Sequence, residues 1–408
     1  MRILMVTRVY GRRGGIARTS LETAEQLAAR GHHITVLTNQ VDRDYNFNNI
    51  DIHRVRLIGL PHSVGIKMKN LVEVPQFVLL STIAVLLTRR RYDVVWNKGN
   101  TQCLVQDVVT SESCHRAWIG ERKAAGEKKH FFYPLHHFIL AVEKWNYRRA
   151  MRRQTRLVAE KPRQGNLPHA SGFSPCITTI SKMVRRDIIN SYPFLSEDDI
   201  GVIYNGVNRA EFVFDPDARK AVRKRHGIAP DGFTALFVGW EFERKGLEYI
   251  IGALPLIGAG RIKLLVVGGD SPARYRKIVE KSGVEDDVIF CGSVDDVAAY
   301  YSAADVFILP TRMDAFGLVV LEAMSAGRAV IISSTAGAAE LIEHGANGFI
   351  LEERTSSREI AGIAKNLIDD PGLKETVGEA AAETAAGYDW DAIGAEYERF
   401  LKNSIQSA

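Results

Sequence analysis

Residues 310–327 read PTRMDAFGLVVLEAMSAG and place two carboxylates around the expected start of a helix. Asp314 falls in the preceding loop and Glu322 falls inside the helix. The neighbours of Glu322 are apolar, and a carboxylate among them is costly to bury unless it accepts hydrogen bonds. A polyhydroxylated ligand would supply such donors, and the backbone N–H groups of residues 316–318 favour a bound diphosphate. The stretch therefore predicts a nucleotide-sugar site.

The same stretch also fits an ordinary capped helix. In that alternative, Asp314 lies near the N-cap and Glu322 pairs with a neighbouring basic side chain. Short motifs produce false positives. The nucleotide-sugar interpretation therefore depends on further motifs elsewhere in the chain.

The first half of the chain alternates short apolar runs, glycine turns and amphipathic stretches, which is the pattern of a parallel sheet covered by helices. The turn at residues 11–15, Gly-Arg-Arg-Gly-Gly, leads into a predicted helix at residues 16–30. Residues 162–175, with three Pro and two Gly, are predicted to form a loop. Strands are predicted at residues 1–7, 33–38, 52–57, 93–96, 176–180 and 201–204. Residues 1–205 are therefore expected to form one doubly wound domain.

A second series of the same kind predicts a second doubly wound domain at residues 206–389. Its strands are predicted at residues 234–239, 262–268, 288–292, 306–310 and 329–333. The amphipathic stretch at residues 390–402 is expected to cross back, so that residues 390–408 join the first domain. Two such halves predict an α/β protein with a ligand cleft at the carboxyl ends of its sheets.

The composition is that of a soluble globular enzyme. The 408 residues are 46% hydrophobic and 25% charged, enough for two domains with their own cores. The four cysteines, Cys103, Cys114, Cys176 and Cys291, have no spacing typical of a disulfide framework or a zinc site. A reducing cytoplasm is expected.

The apolar runs predict no membrane-spanning helix. The longest run, residues 77–87, is too short to cross a bilayer, and Glu73 and Pro75 precede it. Residues 89–91 are all Arg and follow it, so a buried helix is predicted. The first apolar run soon reaches Gly11 and two arginines, which excludes the pattern of a signal peptide.

Positive charge is concentrated in the first half of the chain. Residues 1–205 hold 31 Lys/Arg and 17 Asp/Glu, net +14, whereas residues 206–408 hold 22 and 31, net −9. Within the segment 116–163, 13 basic and 4 acidic residues give +9. Its aromatic residues include Trp118, Phe131, Phe132, Tyr133, Phe138, Trp145 and Tyr147. Such a segment suits an anionic membrane surface; a solvated basic helix with an apolar core face fits it as well.

Four further motifs follow strands or join the two series. Gly14-Gly15 opens the first helix, where a backbone without side chains can approach a phosphate. Residues 205–207, Asn-Gly-Val, lie at the domain junction. Residues 244–246, Arg-Lys-Gly, follow the strand that ends at Gly239, and two cations there would neutralise a diphosphate. Residues 290–294, Phe-Cys-Gly-Ser-Val, end a later strand. Taken singly, each also fits a plain turn or a solvated loop.

Taken in order, these motifs resemble those of retaining glycosyltransferases with the GT-B fold, in the large glycosyltransferase family four. Residues 94–99 and 111–115 resemble most closely the lipopolysaccharide-core glucosyltransferase branch, whose strand also ends in an Asn-Lys pair. The family usually has Glu at the position of Asp314, which is one methylene shorter. The resemblance implies two Rossmann-like domains, the first for the acceptor and the second for the donor.

The resemblance also implies roles for individual residues. Catalytic roles fall to Arg244, Lys245, Asp314 and Glu322, and in the first domain Glu112 or His115 would orient the acceptor hydroxyl or bond the donor sugar. Glu322 would accept the ribose hydroxyls, and Asp314 would hold sugar hydroxyls. Contacts to the donor are implied for Gly14, Gly15, Asn205, Gly239, Arg244, Lys245, Gly292, Val294, Asp314, Ala315, Phe316, Gly317, Leu318 and Glu322.

The activity implied is transfer of a hexose from a nucleoside diphosphate sugar to a saccharide or glycolipid hydroxyl, with retention of configuration. A UDP-sugar such as UDP-glucose is expected as donor, with a lipid-linked or lipopolysaccharide-core-type acceptor. The departing diphosphate would assist front-face attack, with neither a metal nor a cofactor. A GDP-mannose-dependent mannosyltransferase, a GT-B nucleotide-sugar epimerase and a basic surface-binding protein are the alternatives. No nucleic acid partner is expected, and the protein is expected at the inner face of the cytoplasmic membrane.

Overall fold

The computed structural model describes residues 1–12, 14–42, 49–59, 61, 65–124, 126, 133–160, 175–353 and 355–405. Arg13, Phe131, Phe132 and the predicted loop up to residue 174 lie outside these ranges. The chain divides into two compact units. The first comprises Met1–Tyr204 and Trp390–Ala408, and the second comprises Asn205–Asp389.

The first unit is built on a parallel sheet whose described strands run in the order β5-β3-β1-β6-β7-β8-β9. Its central strand, β1, pairs with β3 on one side and β6 on the other. The strands are β1 (Arg2–Val6), β2 (Val9–Tyr10), β3 (His33–Thr38), β4 (Gln40–Val41), β5 (Ile50–Arg54), β6 (Val94–Lys98), β7 (Val108–Ser111), β8 (Ile177–Thr179) and β9 (Ile200–Val202). The helices are α1 (Gly15–Ala29), α2 (Ile66–Thr88), α3 (His115–Ala124), α4 (Pro134–Glu160) and α5 (Lys182–Ser191).

Helix α2 corrects one prediction. The apolar run at residues 77–87 was expected to be too short for a membrane, but the helix includes Pro75 and continues upstream to Ile66. By length and composition alone, Ile66–Arg91 is the one helix found among the described residues that could cross a membrane. However, one face of α2 carries Phe77 and Val85 into the core of this unit, where they pack with β-strand residues such as Leu4.

The second unit is built on a parallel sheet with the described order β12-β11-β10-β13-β14-β15. Strand β10 lies at its centre, between β11 and β13. The strands are β10 (Thr234–Val238), β11 (Lys263–Val267), β12 (Val288–Gly292), β13 (Val306–Leu309), β14 (Ala329–Ser333) and β15 (Phe349–Leu351). The helices are α6 (Pro216–Arg225), α7 (Phe242–Lys245), α8 (Leu247–Ile257), α9 (Ala273–Ser282), α10 (Val297–Ala303), α11 (Leu318–Ser325), α12 (Ser357–Asp369) and α13 (Pro371–Ala386).

The last helix, α14 (Trp390–Ile405), belongs to the first unit. Its small residue Gly394 lies against α1, since a Cβ built there would come within 2.6 Å of the Gln26 side chain. Polar contacts add to this packing, with Glu398 Oε1 3.0 Å from His32 Nε2. The returning helix therefore completes the α-helical cover of the first sheet.

Candidate functional site

The carboxyl ends of β10, β11 and β12 lie side by side in the second unit. The N–H of Gly268 donates to the carbonyl of Gly292 at 2.9 Å. A Cβ built on Gly268 would lie 1.9 Å from the carbonyl oxygen of Gly239, so only glycine fits at this position. Gly239 and Gly292, which were predicted to contact the sugar-nucleotide donor, thus both lie against Gly268.

The segment Arg244-Lys245-Gly246 is fastened to the residues that follow β13. The carbonyl of Arg244 accepts from the N–H of Arg312 at 2.8 Å and from the hydroxyl of Thr311 at 3.1 Å. Gly246 has φ +80°, and a Cβ there would lie 2.1 Å from the carbonyl oxygen of Pro310. Two strand ends are therefore locked together at this point.

Two cations converge on Asp314. Its Oδ2 lies 3.4 Å from Nζ of Lys245 and 3.6 Å from Nη1 of Arg244. Lys245 reaches this position by lying across Gly239, because a Cβ built there would meet Lys245 Cδ at 2.4 Å. Burial lowers the pKa of Arg244, but the carboxylates of Asp314 and Glu241 outweigh it and raise the pKa above its ordinary value. Arg244 therefore stays protonated and positively charged.

Helix α11 begins beside this cluster. Its N-cap is Gly317 with φ +94°, three positions after Asp314, so Asp314 does lie near the N-cap, as the ordinary-helix alternative also expects. Glu322 is buried, and the hydroxyl of Tyr301 donates to its Oε2 at 2.7 Å. The first N–H groups of a helix have no acceptor within it, and the helix dipole favours an anion there. Ala315, Phe316 and Leu318 lie in this same short segment.

Four other residues that were predicted to contact the sugar-nucleotide donor lie elsewhere in the two units. Gly14 and Gly15 are exposed at the start of α1 in the first unit, and a Cβ on either would meet no atom within 4 Å. Asn205 is buried at the start of the second unit, where its side-chain oxygen finds no hydrogen-bond partner among the described residues. Val294 is half-buried just beyond β12.

Glu112 lies in a buried polar cluster of the first unit. Its Oε1 is 3.4 Å from Nζ of Lys98 and accepts from the hydroxyl of Thr19 at 3.0 Å. Lys98 also donates to the hydroxyl of Tyr397 at 3.1 Å and is completely buried. Burial lowers the pKa of Lys98, but Tyr397 and Glu112 outweigh it and raise the pKa. These contacts fix Glu112 within the first unit, and its predicted contact with the acceptor hydroxyl or the donor sugar stays a prediction.

His115 begins helix α3 and faces other aromatic side chains. Its Nε2 lies 3.0 Å from Nδ1 of His136, and its ring stacks on Trp118 with centroids 5.4 Å apart. Burial, reinforced by His136, lowers the pKa of His115 to about 4. The ring is therefore neutral at pH 7, able to accept or donate a hydrogen bond but not to act as a cation.

Two cavities mark further surfaces of the first unit. The larger, about 1080 Å³, lies at the carboxyl ends of β3 and β5 and is lined by polar residues that include Asn39, Asp42, Arg54 and Arg56. The smaller, about 570 Å³, runs along α4. It is lined by Trp145 and the arginines at positions 148, 149, 152, 153 and 156, together with Gln106, Asp107 and Leu157. We call it the arginine groove.

Comparison with known proteins agrees with this geometry. Residues 13–211 match the family model described as Glycosyltransferase Family 4, and residues 218–384 match Glycosyl transferases group 1. Together the two matches extend over both units. The chain is a family-four glycosyltransferase with the GT-B fold.

One relative and one solved structure match this glycosyltransferase over nearly its full length, and a second relative matches about half of it. An uncharacterized glycosyltransferase, MJ1607 of Methanocaldococcus jannaschii, is 29% identical, covering 100% of this chain and 99% of that protein. The structure of WaaG, a glycosyltransferase involved in lipopolysaccharide biosynthesis, has a TM-score of 0.73 at 20% identity, covering 98% of this chain and 99% of WaaG. A GDP-mannose-dependent phosphatidylinositol monomannoside mannosyltransferase of Mycobacterium tuberculosis is 32% identical over 48% of this chain and 54% of its own length. Glycosyltransferases use nucleotide-sugar donors and saccharide acceptors.

Several residues of this glycosyltransferase's candidate site escaped the sequence analysis. The hydroxyl of Thr311 donates a hydrogen bond to the carbonyl of Arg244. The hydroxyl of Tyr301, which lies in α10 and precedes Glu322 by 21 residues, donates to the Glu322 carboxylate. Arg54 and Arg56 line the larger cavity. Thr311 directly follows a predicted strand, which is a usable signal, but nothing in the sequence around Tyr301 marks its hydroxyl as a partner of Glu322.

Proposed function

We propose that this glycosyltransferase transfers a hexose from a nucleoside diphosphate sugar to a saccharide hydroxyl with retention of configuration. The convergence of Arg244 and Lys245 on Asp314, beside the N-terminus of α11, carries the proposal. Two fixed cations and a helix N-terminus suit a diphosphate leaving group, whose charge grows in the transition state. Asp314 would hold sugar hydroxyls once the diphosphate takes over its cations.

Glu322 is proposed to bind the ribose of the donor. Its carboxylate is buried yet accepts from Tyr301, which keeps it fixed within α11. Ribose hydroxyls would donate hydrogen bonds to this carboxylate. With the cations holding the diphosphate, the chemistry needs neither a protein nucleophile nor a metal. Product analysis by NMR would give the anomeric configuration, and activity in EDTA would test metal independence.

UDP-glucose is the proposed donor, with uracil as its base and glucose as its sugar, and GDP-mannose is the alternative donor. Residues 94–99, with their Asn-Lys pair, and residues 111–115 support UDP-glucose through their resemblance to the lipopolysaccharide-core branch. The 32% identity to a GDP-mannose-dependent enzyme, which extends over 48% of this chain, supports GDP-mannose. Both donors leave a nucleoside diphosphate, so the cation cluster serves either one.

The test of this proposal is calorimetric titration with UDP and GDP in EDTA. We expect one of the two nucleotides to bind to the wild type. Lys245→Ala should lower the affinity for that nucleotide at least tenfold, because a charge-assisted contact with phosphate is lost. Lys281→Ala is the matched control because Lys281 lies in the last turn of α9, away from the strand carboxyl ends. If neither nucleotide binds to the wild type, the proposal fails.

The larger cavity is proposed to receive the acceptor. It opens at the carboxyl ends of β3 and β5, where ligands bind to open parallel sheets. Arg54 and Arg56 would attract a phosphorylated or otherwise anionic saccharide. Paired Arg54→Ala and Arg56→Ala substitutions should raise KM for such an acceptor and leave the nucleotide affinity unchanged. An unchanged KM would remove the cavity from the acceptor site.

We also propose that the first unit docks on an anionic membrane surface at the inner face of the cytoplasmic membrane. The arginine groove supplies cations beside the half-exposed Trp145. Helix α2 adds exposed apolar side chains on its outer face, namely Leu79, Ile83, Leu86 and Leu87. Asp107 forms ion pairs with Arg89, just after α2, and with Arg153 on α4. The exposed face of α2 and the arginine groove are therefore close together. Apolar contact combined with basic charge is what an anionic interface favours.

Sedimentation with liposomes tests the membrane proposal. Anionic vesicles at low salt should retain the wild type, and neutral vesicles should not. Reversal of Arg148, Arg152 and Arg156 to Glu should release the protein. The control reverses three lysines of the second unit, Lys220, Lys224 and Lys281, and should leave retention unchanged. Equal retention of both triple variants would contradict docking through the groove.

A further inference from the structure

Trp240 stands exposed at the carboxyl edge of the second sheet. It follows Gly239 at the end of β10, and 61% of its surface is accessible. The neighbouring aromatic residues Phe237 and Phe242 are buried instead, with ring centroids 5.6 Å apart. An indole has a large apolar surface, so its exposure beside a ligand-binding edge suggests a binding role.

The Trp240 ring is supported by glycine. A Cβ built on Gly269 would lie 2.2 Å from Cη2 of Trp240, 2.4 Å from its Cζ3 and 2.8 Å from Oγ of Ser293. The ring therefore lies directly over the backbone of Gly269, just past β11, and beside the turn just past β12. Because the strand order is β12-β11-β10, the side chain crosses β11 toward the turn at residues 290–294.

The backbone on the far side of Trp240 is fixed as well. Glu241 has the left-handed conformation, with φ +59°, which a residue with a side chain adopts only at a cost. The N–H of Phe242 donates to Oδ2 of Asp270 at 2.8 Å, tying this turn to the segment that carries Gly269. The indole is thus held by two joined segments, one beneath it and one after it.

We propose that the outer face of Trp240 stacks on the nucleobase of the donor. The inference rests on the proposed function, which places the diphosphate at Arg244 and Lys245 in α7, four and five positions further along the chain. Ser293 and the turn at 290–294 then border the base on one side, and the indole covers one of its faces. Base-on-aromatic stacking tolerates any base and contributes substantially to affinity. Trp240 is accordingly a binding residue that serves uracil and guanine alike.

The experiment measures nucleotide affinity and indole fluorescence together, with whichever of UDP and GDP binds to the wild type. Trp240→Ala should weaken the nucleotide about tenfold, and Trp240→Phe, which keeps an aromatic face, should recover most of that affinity. Nucleotide should quench the fluorescence of the wild type. In Trp240→Phe the quenching should disappear while binding persists. Trp145→Phe, at a half-exposed indole of the first unit, should retain the full quenching.

Two results would overturn the inference while leaving the proposed function standing. One is nucleotide binding to the wild type without a change in Trp240 fluorescence. The other is an affinity in Trp240→Ala within twofold of the wild type, with Lys245→Ala still weakened at least tenfold. An absence of nucleotide binding to the wild type would instead remove the proposed function, and the stacking role with it. Melting temperatures of the two Trp240 variants that equal that of the wild type would show that the fold is intact.

Discussion

The carboxylate of Asp314 lies 3.4 Å from the ammonium of Lys245, so an anion already occupies the neighbourhood of this cation before any donor binds. A diphosphate that approaches Lys245 and Arg244 must compete with that carboxylate. In exchange, Asp314 becomes free to accept hydrogen bonds from the sugar. Binding of the leaving group and positioning of the sugar are thereby coupled through one side chain.

Asp314→Asn should therefore separate binding from catalysis. Loss of the negative charge leaves both cations to the diphosphate, so nucleotide affinity should stay equal or increase. The transferred sugar loses its charged acceptor, and kcat should fall about 10- to 100-fold. Calorimetry and initial rates measure the two effects. Asp314→Glu, which keeps the charge, should retain more activity than Asn. A parallel loss of nucleotide affinity and kcat in Asp314→Asn would show that the carboxylate only supports the loop.

Gly246→Ala should disrupt the packing of the Arg-Lys-Gly segment against Pro310, which directly follows β13. The new Cβ would clash with the carbonyl of Pro310 at 2.1 Å in addition to occupying a positive φ. We expect a loss of about 2 kcal/mol in the free energy of unfolding, with weaker nucleotide binding. Gly260 has φ +75° and open space around it, so Gly260→Ala carries only the conformational cost, about 1 kcal/mol. Urea titration of both variants measures the difference, and equal losses would refute the contact.

The alternation of strands and helices was readable from the sequence because most strands are buried, largely apolar runs, and glycine directly follows β6, β10 and β11. Strand β12 has the same bounds in prediction and structure, 288–292, as does β14 at 329–333. The sequence analysis missed β7 and β15, which are short and carry no alternating pattern. The helix predicted around residues 77–87 extends further upstream than the apolar run, because α2 begins at Ile66 and accommodates Pro75.

The candidate site was only partly readable. Local spacing placed Arg244, Lys245 and Asp314 on two loops, but their convergence depends on Gly246 fitting against Pro310, which is a tertiary contact. Lys98 illustrates the opposite case. Its Asn-Lys motif indicated a family branch, while its burial against Tyr397 depends on a helix almost 300 residues away in the chain. Long-range contacts of this kind leave no local signal.

Asp305 should dominate the acid stability of the second unit. It is buried, and its carboxylate lies 2.8 Å from both Arg219 and Arg223 and 3.4 Å from Lys374. Burial raises the pKa of Asp305, but these three cations outweigh it and lower the pKa below its ordinary value. The unfolded chain then holds its proton to higher pH than the native state. The resulting stability is present above the unfolded pKa of about 3.9 and is lost as pH falls through the native value.

Asp305→Asn should lower the free energy of unfolding at pH 7 by about 3 kcal/mol, because three cations lose their buried partner. Its stability should also fall less steeply than that of the wild type between about pH 5 and pH 3. Urea titrations across this range measure both effects. Asp217, exposed beside Lys220, provides the control, and Asp217→Asn should change stability by less than about 0.5 kcal/mol. Equal effects of the two substitutions would contradict the central role of Asp305.

His115 should remain neutral far below the usual range of a histidine. Burial and then His136 lower its pKa to about 4, whereas the unfolded chain titrates near 6.5. Between these values the unfolded state binds more protons, so the contribution of His115 to stability should decline as pH falls from about 6.5 toward 4. NMR titration of the ring protons should give a midpoint near 4, and His136→Gln should raise it by removing the second cause. A midpoint near 6.5 in the wild type would contradict the burial of the ring, and would mean that His115 can be protonated at mildly acid pH.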